Sequence, residues 1–272
     1  MKIYVLGGTG MLGKYVTTFF KNYYEVVEIN RNTLDASNTS EQEIEEVLKK
    51  LSVNRNDVVI NCVGTIKPRV DELGDLNAIK VNSLFPRMIS NVCEKLGIKM
   101  IHPTTDCVYT GNKGSYNEND KYDVNDVYGM TKALGEPQNC TVIRTSIIGE
   151  EVGQTRSLIE WVKSVEGQTV FGFTNHFWNG MTCLQFAKVC KEIIEKNLFW
   201  LGIKHFHSNT VSKKELVETI SNIYNLNVNV TPKETEIACD RSICSVHSHD
   251  IEIPSLDKQI QELKEFSKLL YK

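Results

Sequence analysis

The stretch KIYVLGGTGMLG, residues 2–13, decides the fold: a short apolar β-type run meets Gly7, Gly10 and Gly13 at G-x-x-G-x-x-G spacing, and a helical pattern opens behind them. A glycine pattern alone is a weak signal, but directly after a strand and directly before a helix it marks the first turn of a dinucleotide-binding βαβ unit. Glycine suits that turn because the backbone must bend sharply, approach a pyrophosphate closely and let the helix pack on the strand. The helix N-terminus adds N–H groups and a partial positive charge. Gly7, Thr9, Gly10, Met11, Leu12 and Gly13 are therefore the expected contacts to a cofactor's phosphates.

Outward from this turn, short β-rich runs alternate with helical patterns. Strands are predicted at residues 2–6, 25–29, 57–62, 99–103 and 141–144, and helices at 12–22, 40–51, 77–96 and 128–136. Ser40 followed by Glu43 has capping-box spacing, which starts the second helix. Right-handed crossovers between such strands make an α/β fold with a doubly wound parallel sheet. After residue 148 the pattern loosens, with helices predicted at 155–165, 182–196, 212–224 and 256–269 and strands at 169–171 and 203–207. Residues 1–148 are thus expected to bind the cofactor, completed by part of 168–210. Residues 149–272 read mainly as an interleaved substrate-binding region, a smaller layer over the carboxyl edge of the sheet.

The second strand ends at Asn30 and Arg31, where NAD-binding sites commonly carry a carboxylate for the ribose. A neutral end followed by a guanidinium suits a 2′-phosphate, so the reading leans toward NADPH, with NADH open. Asp35, and Asn61, Cys62, Val63 and Gly64 after the third strand, are placed to line the adenine and ribose path.

Composition narrows the partners. The 272 residues carry 31 Lys and Arg against 34 Asp and Glu, a net charge of −3 that leaves no electrostatic footprint for nucleic acid or an anionic membrane. The first apolar run breaks at Gly7, too early for a signal-peptide core, and no run is long enough to span a bilayer, so the expected address is cytoplasmic. Eight cysteines without a C-x-x-C pair read as scattered thiols. The pairs His205/His207 and His247/His249 lack a third ligand, so no metal is expected.

The chemistry centres on YGMTK, in which Tyr128 and Lys132 lie four residues apart and share one helix face. A free phenol titrates near 10, and a neighbouring ammonium is expected to lower that value toward working pH. Upstream, Pro103-Thr104-Thr105-Asp106 puts hydroxyls at the sheet's carboxyl edge, where Thr105 can polarise a carbonyl.

The glycine turn, NCVG at 61–64, Val81-Asn82, TTD at 104–106, YGxTK and RTS at 144–146 occur in the order of the extended short-chain dehydrogenase/reductases. The chain resembles the dTDP-4-dehydrorhamnose reductase family, most strongly over residues 1–148. The resemblance implies Thr105, Tyr128 and Lys132 as the catalytic set, with Asn82 supporting a proton relay. It implies Asp106 orienting the sugar, and NHFWNGMT at 175–182 as the substrate-side segment, with Asn175, His176, Trp178 and Asn179 contacting nucleotide or pyranose. A homodimer is implied by the resemblance alone.

Dehydratases of this superfamily follow the Thr-Asp pair with Glu, whereas Cys107 stands here and cannot simply replace a tuned carboxylic acid. The expected activity is NADPH-dependent reduction of the C4 keto group of a UDP- or dTDP-linked 4-keto-6-deoxy-hexose, or its 2-acetamido analogue, giving a rhamnose-type sugar nucleotide. Two alternatives share the motifs: a non-catalytic NADP-binding regulatory subunit like the β subunit of methionine adenosyltransferase, and a nucleotide-sugar 4-epimerase.

Overall fold

In strand β1 (Lys2–Leu6) the residues from Ile3 to Leu6 are buried, and the two-residue period sends Ile3 and Val5 to one face and Tyr4 and Leu6 to the other. A strand apolar on both faces requires a helical layer on each side. The computed structural model describes residues 1–151, 157–248 and 250–270.

After β1 come α1 (Met11–Phe20), β2 (Glu25–Ile29), α2 (Glu41–Lys50), β3 (Val58–Asn61), α3 (Lys67–Leu73) and α4 (Asp75–Ala78). A π-helical segment (Ile79–Leu84) leads into α5 (Phe85–Leu96), followed by β4 (Lys99–Thr104), a short 3-10 turn (Asp106–Val108), α6 (Val127–Leu134) and β5 (Thr141–Arg144). The second half holds β6 (Ile147–Ile148), α7 (Leu158–Ser164), β7 (Thr169–Phe173), β8 (His176–Trp178), β9 (Met181–Thr182), α8 (Cys183–Glu195) and β10 (Gly202–His205). It ends with β11 (Val211–Ser212), α9 (Lys213–Tyr224), β12 (Asn229–Lys233), β13 (Cys239–Asp240) and α10 (Leu256–Ser267).

Six parallel strands form one sheet in the order β2-β1-β3-β4-β5-β10. The winding reverses between β1 and β3, so the crevice beyond their carboxyl ends is where such a sheet receives a ligand. The α2 and α5 residues Ile44, Leu48, Phe85 and Ile89 cover one face of the sheet. On the other, Val16 and Phe20 of α1 join Phe186, Val189 and Ile193 of α8. The second half therefore builds much of a sheet face, because α8 is the crossover that leads into β10. Three smaller sheets, β11-β8-β13, β12-β7 and β6-β9, occupy the rest of that half.

The capping box forms as expected: Ser40 accepts from the Glu43 N–H, and Glu43 reaches back to the Ser40 N–H. The helix predicted at 77–96 starts earlier, at Asp75, and widens into the π-helical segment that carries the buried Asn82. Such a widening inserts an extra residue into one turn and is frequent at functional sites. Of the helix predicted at 155–165, residues 155 and 156 lie outside the described residues, as does His249. All eight cysteines are free thiols. Among the described residues no helix is long and apolar enough to cross a membrane, and no group of three or more His, Cys, Asp or Glu could hold a metal ion.

Candidate active site

The glycine turn divides its labour among three positions. Gly7 adopts φ +74° and donates its N–H to the Ile29 carbonyl at 3.1 Å, a left-handed conformation that favours glycine. At Gly13 a Cβ would lie 2.1 Å from the Gly7 carbonyl oxygen, so α1 can approach the strand only without one. Gly10 differs, because a Cβ there would meet only the Gly7 carbonyl oxygen, at an ordinary 3.5 Å, and the residue is exposed. The protein itself leaves Gly10 room, which fits a turn kept bare for a pyrophosphate. Thr9 is exposed and Met11 and Leu12 are half-buried around the same helix end. Gly10→Ala is expected to change stability by no more than about 1 kcal/mol while weakening NADPH binding about tenfold, about 1.4 kcal/mol; fluorescence titration alongside thermal unfolding checks both. Gly13→Ala should lose both.

After β2, Asn30 folds its side chain over its own turn, accepting from the Asn32 N–H at 3.0 Å and the Thr33 N–H at 3.3 Å. Arg31 is exposed and donates from Nε to Asp35 Oδ2 at 3.1 Å. Asp35 also accepts from the Ser37 hydroxyl and N–H, and these bonds, with Arg31 behind them, hold its carboxyl below the ordinary range. The guanidinium and carboxylate that sequence reading assigned separately to the cofactor thus form one pair.

After β3, Asn61 is fully buried, with Nδ2 bonded to His102 Nδ1 at 3.2 Å and Oδ1 accepting from the Val63 N–H at 3.1 Å. Its amide braces the loop from inside, where sequence reading had it lining the ribose path. Val63 backs Gly7, and burial pushes the Cys62 thiol well up. Gly64 is exposed, and a Cβ on it would lie 3.6 Å from Asn82 Oδ1 and 3.9 Å from Lys132 Nζ. This loop therefore lies between the glycine turn and helix α6.

Strand β4 delivers Thr105 to the sheet edge, where its hydroxyl donates to Asp106 Oδ1 at 3.2 Å and accepts from the Cys107 N–H at 3.1 Å. Helix α6 starts under an Asp126 cap, with Gly129 N–H donating to the carboxylate at 2.8 Å. Gly129 permits close docking, since a Cβ would sit 2.3 Å from the Cys107 carbonyl. That docking sets Tyr128 beside the turn that carries Thr105 and Cys107. Lys132, one turn on, is buried with Nζ 3.5 Å from the Pro103 carbonyl oxygen, and burial lowers its pKa to about 8.

Burial raises the Tyr128 pKa, with Cys107 and Asp106 adding to it. Sequence reading expected the adjacent ammonium to lower it; desolvation of the phenolate raises it instead. Tyr128 is consequently protonated at neutral pH. Asn82 stands behind this pair, exchanging hydrogen bonds with the Thr65 backbone at 2.8 and 2.9 Å and reaching Thr131 Oγ1 at 3.3 Å. Its side chain joins the loop after β3 to α6.

Sequence reading missed the buried polar group under Thr105. Glu136 and Arg144, each 1% exposed, make a two-pronged ion pair at 2.6 and 3.0 Å. Glu136 also accepts from the Thr104 and Tyr122 hydroxyls, and Arg144 donates to Tyr109 and to His205 Nε2, both at 2.8 Å. His205 Nδ1 faces the Cys244 carbonyl at 2.8 Å, so the ring is neutral with its proton on Nδ1. Burial first, then Arg144, pushes its pKa down to about 4. The unfolded chain takes up this proton near 6.5, so the stability tied to His205 is complete above that pH and is lost as pH falls toward about 4. His205→Asn is expected to show a shallower decline over that window in urea unfolding.

With this geometry in place, the chain's relatives identify it. The family model described as RmlD substrate binding domain matches residues 1–239. The chain belongs to that family. A dTDP-4-keto-6-deoxy-D-glucose reductase of Streptomyces niveus is 29% identical over 151 residues, covering 52% of this chain and 51% of the relative. The chain thus spans about half the length of that curated relative. The β subunit of methionine adenosyltransferase 2 of Danio rerio is 25% identical over 247 residues, covering 83% of this chain and 74% of the relative. Among solved structures, the dTDP-4-dehydrorhamnose reductase of Bacillus anthracis in complex with NADP shares the fold, with a TM-score of 0.81 at 19% identity, covering 98% of this chain and 99% of that one.

The RmlD-family match includes residues 175–182, which sequence reading expected on the substrate side and which are strand more than loop. Asn175 exchanges hydrogen bonds with the Thr235 backbone at 2.8 and 3.2 Å, and His176 Nε2 meets the Thr235 hydroxyl at 2.8 Å. Asn179 does the same with the Ile243 backbone, and Trp178 is 4% exposed. These polar groups tie β8 to the segments around β13. No signal in the sequence linked residues some 60 positions apart.

Proposed function

We propose that the chain is an NADPH-dependent reductase of the C4 keto group of a nucleotide-activated 4-keto-6-deoxy-hexose, UDP- or dTDP-linked, or of its 2-acetamido analogue. The observation that carries this reading is the placement of Tyr128 and Lys132 one helical turn apart on α6, docked against the turn that carries Thr105 and Asp106 and across a loop from the bare glycine turn. Residues 1–148, completed by part of 168–210, would hold the cofactor, and 149–272 mainly the sugar nucleotide. The turn at Gly7–Gly13 would hold the pyrophosphate and Arg31 the 2′-phosphate, exchanging Asp35 for a more highly charged partner. The bound cofactor supplies hydride to C4. Thr105 and Tyr128 hold the keto oxygen, and the Tyr128 O–H passes its proton to that oxygen as negative charge develops there. The buried Lys132 ammonium supports the phenolate left behind.

Cys107 favours reduction over dehydration. Burial, then Asp106, pushes its thiol up to about 12, so it cannot exchange a proton near neutrality. The test is a panel of UDP- and dTDP-linked 4-keto-6-deoxy sugars with NADPH and NADH, followed by product NMR. NADPH oxidation with a hydroxyl formed at C4 is the expected result. The extended likeness to the methionine adenosyltransferase β subunit favours one second reading, an NADP-binding regulatory subunit. Copurification of a partner enzyme with no turnover across the panel would decide for it.

A further inference from the structure

Tyr128, Lys132 and Glu136 follow one another at four-residue spacing, and the chain keeps turning past the end of α6, where the Glu136 N–H donates to the Ala133 carbonyl at 3.3 Å. That spacing keeps successive side chains on one face. Lys132 and Glu136 then reach neighbouring residues of β4. The ammonium stands 3.5 Å from the Pro103 carbonyl oxygen, and Glu136 Oε1 accepts from the Thr104 hydroxyl at 2.9 Å. Thr105 comes next in the chain, so both charges bear on the strand end that delivers its hydroxyl.

Most groups facing this pair are neutral. From β4, His102 faces Lys132, and burial, then the ammonium itself, keeps the imidazole uncharged. At the other end of the face, Asp106 and Asp126 act on Tyr128. Glu136 accepts from the Tyr122 hydroxyl at 2.6 Å and acts on the Tyr109 phenol, while Arg144 of β5 pairs with it and turns its remaining nitrogen to the neutral His205. Among the described residues Glu136 is the carboxylate that acts on Lys132, favouring the ammonium against burial. Lys132 and Arg144, both buried, thus share one buried carboxylate. Stability alone gives little reason for this arrangement, since apolar residues of similar volume often replace a buried ion pair at no loss. A desolvated lysine, in contrast, readily gives up its proton when no anion is near.

We propose that Glu136 is a positioning residue for the reduction: its carboxylate keeps the Lys132 ammonium charged beside Tyr128, and its bond to Thr104 holds the strand end that carries Thr105. This role deepens the reductase reading and rests on it for the phenolate that Lys132 serves. When Tyr128 passes its proton to the keto oxygen, a charged Lys132 offsets the negative charge left on the phenol, and a neutral amine could not. Arg144 competes with Lys132 for the same carboxylate.

The test is the titration of Lys132 in the full chain, followed by NMR of 13C-labelled lysine side chains and assigned by the signal lost in Lys132→Met. The wild-type ammonium should titrate at about 8. In Glu136→Gln it should titrate at a pH lower by about one, an about tenfold loss of proton affinity. Arg144→Met frees the carboxylate from its other cation and should not lower the Lys132 titration. A merely structural ion pair predicts no such contrast, because either change strands a buried charge and costs stability. With a turned-over sugar, the deficit of Glu136→Gln in kcat/KM should deepen about tenfold between about pH 6 and about pH 9. An unshifted Lys132 titration in Glu136→Gln would overturn the role, as would an equal fall in Arg144→Met. Should Glu136→Gln misfold, its double variant with Arg144→Met strands no charge and carries the same test against Arg144→Met alone. A lowered Lys132 titration without turnover of any 4-keto sugar would leave the hold of Glu136 on Lys132 standing and reject the reductase reading. Turnover with Lys132 unshifted would do the reverse.

Discussion

Tyr128→Phe is expected to lower kcat for keto-sugar reduction by about 10²–10⁴-fold, the usual worth of a positioned general acid, with NADPH affinity nearly unchanged. Phenylalanine keeps the ring that fills the space beside Thr105 and Cys107 and removes the phenol hydroxyl, which stays protonated at neutral pH. Neither neighbour substitutes. The Cys107 thiol is held up to about 12, and the Thr105 hydroxyl is already bonded to Asp106 and to the Cys107 N–H. Stopped-flow measurement of NADPH oxidation separates the proton-transfer defect from cofactor binding. Undiminished turnover in this variant would remove Tyr128 from the reaction.

Arg144→Met is expected to cost about 3–5 kcal/mol of stability, because it strands the Glu136 carboxylate in the interior. That carboxylate accepts four hydrogen bonds, two of them from Arg144, and the remaining donors, Thr104 and Tyr122, are neutral. Thermal unfolding should register a drop on the order of 10 °C. The double variant with Glu136→Gln should recover part of the loss, since no charge then remains unpaired. The effect reaches the site, because Thr104 pairs in register with Arg144 and directly precedes Thr105. Residual turnover should therefore fall before the sheet unfolds.

The first five strands were legible because each is a short apolar run closed by a turn, and hydrophobic period depends only on neighbouring residues. The glycine turn and the Tyr128–Lys132 pair were legible for the same reason, since their spacing lies within one turn of chain or helix. The two-residue strands β6, β9, β11 and β13 were not, because nothing in two residues distinguishes a strand from a loop until a distant partner pairs with it.

Local spacing in the sequence was enough for the α/β class, the position of the glycine turn and the shared helix face of Tyr128 and Lys132. Only the tertiary structure decided the phenol's protonation, the enclosure of Asn61, the pairing of Arg31 with Asp35 and the network around Arg144. Each of these depends on desolvation and on contacts between distant segments, and burial changes the free energy of a charge by more than any neighbour in sequence can.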